Sequence, residues 1–328
     1  MRTVAPDMAS PDGPPIDAVV IGRNEGARLL ACLDSLAGRF RRIIYVDSGS
    51  TDGSVEAARA RGAEVVALDM TRPFTAARAR NAGLAQLGPT DDSLVQLLDG
   101  DCTLHPDWIA KATAFLATEP EVAVVCGRRR EEHPEASIYN RLCDAEWNTP
   151  IGEALACGGD ALIRRAALAG IGGYRDDLIA GEEPEMCLRL RRAGWKIWRL
   201  DAEMTLHDAR MMRLGQWWQR SRRAGHAFAE GAFLHGAPPD RHWVKETRRA
   251  LLWGAVLPSL LLVAMLMAPK MAALGLCLYV GQFLRLTRRF GRQRAGFLIL
   301  GKVAEAQGVL EFHMNRLTRR HRGLIEYK

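Results

Sequence analysis

The chain predicts an α/β fold, a Rossmann-like, mostly parallel sheet between helices, followed by a C-terminal helical membrane-associated region. Three observations carry this reading. Between residues 16 and 125, apolar runs of strand length alternate with segments of helical spacing. One of those runs, Val95–Asp101 (VQLLDGD), stops on two aspartates separated by a glycine. A buried strand of that kind delivers its acids to the carboxyl edge of a sheet, where open α/β folds bind ligands. Finally, Ala250–Ala268 carries no charge across 19 residues, about the length that spans a bilayer as a helix.

The elements follow in order. Ile16–Ile21 reads as a first strand and Ala27–Leu36 as a helix with apolar residues at helical spacing. Arg42–Val46 is a second strand and Ser54–Arg61 a second helix. Ala63–Leu68 is a short third strand, Ala76–Leu87 a third helix and Ser93–Leu98 a fourth strand. Pro106–Thr118 starts with a proline suited to a first helical turn, and Val122–Cys126 is a fifth strand. Such alternation argues for a parallel sheet covered on both faces. Residues 127–210 are less regular and hold further polar motifs.

Composition bounds the function classes. A chain of 328 residues with 48% hydrophobic content can bury a sizeable core, and roughly two domains are expected. The N-terminal stretch 1–15, Pro-rich and acidic, reads as a loose tail rather than a secretory signal. The seven cysteines are scattered with no CxxC pair, so neither a disulfide framework nor a zinc site is indicated, and a catalytic part in reducing cytosol is expected. The net charge of +7 is uneven, with basic residues concentrated from about Arg189 onward.

The C-terminal part divides by composition. Residues 211–249 are basic and aromatic, and in QWWQRSRRAGHAF the tryptophans Trp217 and Trp218 with Arg220, Arg222 and Arg223 suit a helix on an anionic membrane surface. Packing of these tryptophans against the catalytic core is the alternative. Residues 250–287 read as a hydrophobic hairpin or re-entrant pair, since the uncharged runs Ala250–Ala268 and Met271–Leu284 are flanked by arginines on both outer sides. Both ends would then stay cytoplasmic. A very hydrophobic soluble helix pair is the other reading, helped by Pro258. Residues 288–328 form a basic tail in which Phe297–Leu310 reads as an interfacial amphipathic helix.

The polar motifs sit where strands end. Asn24 and Glu25 follow the first strand directly, at the ligand edge of the sheet or as helix caps. The second strand runs into VDSGSTDGS, which places Asp47 to accept hydrogen bonds from a base and Asp52 to cap the next helix. In PFTAARARNAGL, Arg78 and Arg80 offer planar forks of donors for a uracil ring or a diphosphate, one of the two being expected to remain a solvated surface charge. Asp99 and Asp101 can share a hard divalent cation of the kind that bridges phosphates. In IAGEEPEMCLRLRRAGW, Glu182 and Glu183 lie at a helix entrance that favours ionised carboxylates, so Glu183 is a candidate general base. His207 follows in MTLHD.

Together, in this order and spacing, these motifs resemble the family 2 inverting glycosyltransferases of GT-A fold over residues 16–210. The resemblance implies a nucleotide-diphosphate-sugar donor, UDP- or GDP-linked, and Mg2+ or Mn2+. It implies donor contacts from Asn24, Glu25, Asp47, Arg80 and Asp99, metal ligation by Asp101 and His207, and Glu183 as general base with Glu182 beside it. Glu183 stands where the family usually has the aspartate of a Glu-Asp pair. Asp160, after a Gly-rich turn, would face the acceptor, as would Gln219 and Arg222. Processive members carry Gln-x-x-Arg-Trp, and here Arg223 replaces the tryptophan, which favours single-sugar addition to a lipid-linked acceptor in glycan or exopolysaccharide assembly at the cytoplasmic face of the membrane. A nucleotide-binding scaffold on the same fold is the alternative. A Rossmann dehydrogenase is disfavoured because GRNEGA, and no G-x-G-x-x-G, follows the first strand. A nucleic-acid partner is disfavoured because lipid contact explains the basic charge.

Overall fold

A computed structural model describes residues 14–88 and 92–318. It divides into two compact units. One comprises the chain up to Leu178 with Glu182–Arg210, and the other Ile179–Gly181 with the chain from Met211 onward. Most of the expected N-terminal tail and the last ten residues lie outside the described residues.

The first unit is one sheet covered by helices. Its elements are β1 (Ile16–Gly22), α1 (Ala27–Leu36), β2 (Ile43–Asp47), α2 (Ser54–Ala60), β3 (Glu64–Ala67), α3 (Ala76–Gln86), β4 (Leu94–Asp99), β5 (Cys102–Leu104), α4 (Trp108–Thr118), β6 (Val122–Glu131), α5 (Ile138–Trp147), β7 (Gly152–Ala154), β8 (Ala161–Arg164), α6 (Arg165–Gly170), α7 (Glu182–Arg192) and β9 (Lys196–His207). The strand order is β3-β2-β1-β4-β8-β6-β9-β5, with β7 paired to β9.

Half of the sheet is parallel as the alternation predicts. β1 pairs in parallel with β2 and β4, and β2 with β3. β1, β2 and β4, buried on both faces, read as continuous apolar runs, whereas β3 is a partly exposed edge strand. Asp17 inside β1 and Gln96 inside β4 are exceptions, both fully buried: Asp17 receives both arms of Arg41 at 2.9 and 2.5 Å, and Gln96 Oε1 accepts from Trp108 Nε1 at 2.8 Å. The other half departs from the expectation. β8 runs antiparallel to β4 and β6, and β5 and β7 antiparallel to β9, with only β6–β9 parallel. Of these strands, β7, β8 and β9 come from the irregular stretch after residue 126 and β5 is only three residues long, so short segments and long-range pairing leave no local period to read.

Register fixes the ligand edge. Gly22 pairs with Asp47 and Ile21 with Asp99, so three strands end side by side, with Asp47 and Asp99 at the same rim. Gly83 on α3 allows that helix to seat directly on the sheet, since a Cβ there would stand 2.4 Å from Val19 Cγ1.

The second unit is helical: α8 (Leu214–His235), α9 (Val244–Leu251), a π-helical turn (Leu252–Val256), α10 (Leu257–Met267), α11 (Pro269–Phe290) and α12 (Arg292–Leu317). α8 and α12 pack backbone to backbone through glycines. A Cβ on Gly225 would lie 2.0 Å from the Glu305 carbonyl, and one on Gly308 the same distance from that of Arg222. This packing decides two expectations. Residues 292–317 form a long helix whose small residues Ala295, Gly301, Ala304 and Gly308 are buried, rather than a basic tail with a short interfacial segment. Likewise Trp217 is buried against Phe297, ring centroids 5.0 Å apart, and Trp218 donates to Gln307 Oε1 at 2.9 Å. The tryptophans serve helix packing, because α12 supplies the partners that a membrane surface was expected to supply.

The continuous helical segment Val244–Met267 is long and apolar enough to cross a membrane. Along α10 and α11 leucines and methionines stand exposed, Leu266 and Met267 at 82% each. Pro258, which lacks an N–H to give its preceding turn, stands two residues beyond the end of the π-helical turn.

Candidate active site

The site lies wholly in the first unit, at the carboxyl ends of β1, β2 and β4. The β1–α1 and β2–α2 loops are tied together there. Asn24, in a left-handed conformation (φ 55°), accepts from Thr51 N at 2.8 Å, and its own N–H donates to Ser50 Oγ at 2.9 Å. Asp52 accepts from Gly26 N and from Ser54 N and Oγ, at 2.9, 3.1 and 2.6 Å, which is the capping role its sequence position suggests. Glu25 pairs with Arg28 at 2.6 Å. Asp47 accepts from Tyr45 Oη at 3.1 Å and from Gly49 and Ser50 N–H groups at 2.9 Å, so its carboxylate anchors the turn at the strand end.

Deeper in the cleft, α3, β4, β6 and α7 bring charges together. Arg80, 2% exposed, reaches Asp99 Oδ1 at 3.0 Å, Glu182 Oε1 at 3.3 Å and Glu183 Oε1 at 2.8 Å, with its guanidinium over the Tyr174 ring. Arg129 reaches the other Asp99 oxygen at 3.2 Å and Asp160 Oδ2 at 3.5 Å, over the Trp147 ring. Asp160, itself 1% exposed, accepts from the Asp99 N–H at 3.1 Å and from Thr205 Oγ1 at 2.9 Å. Asp101 Oδ2 lies 3.3 Å from His207 Nε2, and the far nitrogen of that ring stands 3.9 Å from Glu131 Oε2. Gly159 makes room for the crossing, since a Cβ there would come within 2.7 Å of both Arg80 Nη2 and Asp99 Oδ2.

Five carboxylates (Asp99, Asp101, Asp160, Glu182, Glu183) thus surround two guanidinium groups, leaving an excess of acid in a site where charge is poorly solvated. The consequence falls on Glu183. Burial, and then the neighbouring Glu182, push its carboxyl up to about 7, against the pull of Arg80. Burial also works against the charge on Arg80, but Glu183 and Asp99 outweigh it and hold the guanidinium protonated. Burial, and then Arg129, depress the His207 imidazolium, so the ring is neutral near pH 7 and able to serve as a ligand. The Cys102 thiol is raised well above its usual range by burial and stays protonated.

Of the residues singled out from sequence, Arg80, Asp99, Asp101, Asp160, Glu182, Glu183 and His207 meet in this cluster, while Asn24, Glu25 and Asp47 line the strand ends beside it. Gln219 and Arg222 belong to the second unit, where Arg222 pairs with Glu311 at 2.8 Å and donates to Gln219 Oε1 at the same distance. The expectation that Arg78 or Arg80 is a solvated charge is overturned. Arg78 is 7% exposed and donates to the carbonyls of Asp69, Arg72 and Pro73, bracing the loop before α3.

Arg129 was legible only as part of Arg128–Arg130. The strand β6 runs five residues past its expected end at Cys126, and register shifts on either side of Arg128 break the simple alternation. Arg129 turns into the site, Arg128 pairs with Asp144, and Arg130 pairs with Glu203 at the surface. Trp147 and Tyr174 carried no sequence signal, because their roles arise from rings placed under arginines by distant elements.

The fold is of GT-A type, and its clustered acids stand at the ligand edge of the sheet. The family model described as Glycosyl transferase family 2 matches residues 17–171. Succinoglycan biosynthesis protein ExoA of Rhizobium meliloti is 28% identical over 212 residues, covering 60% of this chain and 64% of ExoA. Glycosyltransferase AglE of Haloferax volcanii is 23% identical over 212 residues, 60% of this chain and 68% of AglE. The pre-mycofactocin glycosyltransferase of Mycobacterium tuberculosis is 28% identical over 253 residues, covering 70% of this chain and half of that protein. The chain therefore spans between half and about two thirds of the length of these relatives. Among solved structures, mannosyltransferase PcManGT from Pyrobaculum calidifontis, in complex with GDP-Man and Mn2+, shares the fold at a TM-score of 0.62 and 23% identity, over 94% of this chain and 90% of PcManGT. Residues 17–171 of this chain are thus similar to glycosyltransferase family 2, on a fold shared with PcManGT.

Proposed function

We propose that the chain transfers a single sugar, with inversion, from a UDP- or GDP-linked donor to a hydroxyl of a lipid-linked acceptor at the cytoplasmic face of a membrane. The observation that carries this is Glu183: a carboxylate at a helix start, raised to about 7, oriented by Arg80 and only 14% exposed at its side chain. A group with that affinity for a proton can take one from an acceptor hydroxyl near neutral pH. The hydroxyl oxygen then forms a bond to the anomeric carbon as the bond to the diphosphate breaks, and the nucleoside diphosphate leaves. Arg80 and Asp99 position donor and base relative to each other, and such positioning supplies much of the rate. Asn24, Glu25 and Asp47 lie where the nucleoside would rest. Asp160 is the inner acceptor-side group of the cluster.

The donor set fits a divalent cation. Asp101 and His207 offer ligand atoms to the same point together with Cys102, all within 4.8 Å of one another. The thiol remains protonated, so the oxygen and imidazole donors suit Mn2+ or Mg2+ better than a thiophilic metal. When bound, the cation supplies charge neutralisation at the leaving diphosphate. ExoA's name places it in succinoglycan biosynthesis, which supports a polysaccharide or glycan role here. The apolar helices of the second unit support the membrane location.

The test is release of nucleoside diphosphate from UDP-, GDP- and dTDP-sugars, with membranes as acceptor source and Mn2+ or Mg2+ added. Metal-dependent release from one donor, lost in Glu183→Gln and in Asp101→Asn, is the expected result. Nucleotide binding with no release from any donor would favour a non-catalytic scaffold instead.

A further inference from the structure

The second unit holds two adjoining cavities that sugar transfer leaves unused. The first, of about 570 Å3, is lined by Arg249, Arg285, Arg289, Arg294 and Lys302, and no acidic residue among the described ones lines it. Lys302 is bonded to Glu305, while Arg289 and Arg294 both lie over the Phe290 ring, 4.9 Å from its centroid. Arg249, Arg285 and Arg289 have no acidic partner among the described residues. The second cavity, of about 520 Å3, shares Trp253 and Ile299 with the first and continues along Leu261, Met265, Phe283 and Val303. Its one side-chain hydroxyl, that of Tyr279, is already spent on the Trp253 carbonyl at 2.7 Å.

Like charges gathered around a cavity repel unless an anion lies between them, and arginine forks match phosphate oxygens in pairs. A free phosphate would have no use for the apolar groove that opens beside them. A hydrocarbon chain would have no use for the arginines. The arginines also sit at the ends of the apolar helices, Arg249 just before the π-helical turn, Arg285 and Arg289 in the last turns of α11, which is where a bilayer presents its phosphates. The leucines and methionines around the groove are exposed and suit hydrocarbon surroundings.

We propose that these paired cavities bind one anionic glycerophospholipid of the surrounding bilayer, its phosphate held by Arg249, Arg285 and Arg289 and an acyl chain lying in the groove between α10 and α12. The bilayer's own phospholipid is the phosphate-bearing amphiphile available wherever these helices meet a membrane. The proposal rests on the membrane association proposed above and not on sugar transfer, and it is tested by binding alone.

The full chain, extracted in a neutral detergent, is titrated with phosphatidylglycerol, phosphatidylcholine or glycerol phosphate, and bound lipid is counted by native mass spectrometry. Wild type is compared with Arg285→Gln/Arg289→Gln and with Arg288→Gln/Arg292→Gln, which removes the same charge from outside the cavity. Circular dichroism checks that helix content is kept. The expected result is one retained phosphatidylglycerol per chain, at least tenfold weaker retention in the cavity variant, and retention within twofold of wild type in the control variant. Equal loss in both variants would reduce the effect to general charge and overturn the site. Equal retention of phosphatidylcholine, or equally tight binding of glycerol phosphate, would overturn it as well. Failure of the chain to associate with neutral or anionic vesicles would instead remove the membrane reading on which the proposal stands.

Discussion

The two units invert the usual rule of burial in opposite ways. The first places Arg80, Asp160 and Glu182 inside, each less than 5% exposed, while the second places Leu266 and Met267 outside at 82%. Buried charge and exposed hydrocarbon are both unfavourable in water unless something else compensates. In the first unit the charges compensate one another in part, and the remaining excess of acid raises Glu183 and suits a cation. In the second unit many leucines and methionines of the apolar helices stand exposed among the described residues, and a lipid phase is the solvent that would cover them. Each departure from ordinary burial therefore points to the chemistry of what that unit meets.

The largest test of this contrast is on the base. Glu183→Gln is expected to lower kcat by about 10²–10⁴-fold with its fold intact. In wild type, kcat/KM should fall as pH drops below about 7, because the protonated carboxyl cannot accept the acceptor's proton. That limb should vanish in the residual rate of the variant. A limb that persists unchanged would assign the titration to another group.

The next effect is on folding. Arg80→Met removes one of the two cations inside the acid cluster and should destabilise the first unit by about 3–5 kcal/mol, because Asp99, Glu182 and Glu183 are left facing one another. Chemical denaturation of the full chain, followed by a probe in that unit, measures it. A loss below about 1 kcal/mol would mean that water or ions already solvate the cluster, and the contrast between the units would weaken.

The smallest folding effect belongs to the second unit. Leu266→Gln with Met267→Gln should change stability in detergent by less than about 0.5 kcal/mol, since both side chains stand in the open. Association with vesicles should nonetheless fall by about tenfold or more, as expected when two large apolar side chains no longer enter lipid. A large loss of stability in detergent would show instead that these side chains pack against protein.

The sequence made the donor-side half of the fold legible because β1, β2, β4 and their helices are local, periodic and buried on both faces. Asp99, Asp101 and Glu183 could be read because each sits at the end of an element whose type the neighbouring residues declare. Arg129 could not be read, since its direction depends on irregular pairing between β6 and β9, residues some 75 apart in the chain. The same limit hid the burial of Arg78, which rests on loop carbonyls, and of Trp217, which rests on a helix that begins 75 residues later.

By itself, then, the sequence determined which residues could carry chemistry and which stretches avoid water, since side-chain type and period are local properties. Tertiary structure alone decided that seven of those residues converge, that Glu183 titrates near 7, and that arginines from three helices surround one cavity. Those properties depend on distance and on exclusion of water, and both arise only when segments far apart in the chain pack together.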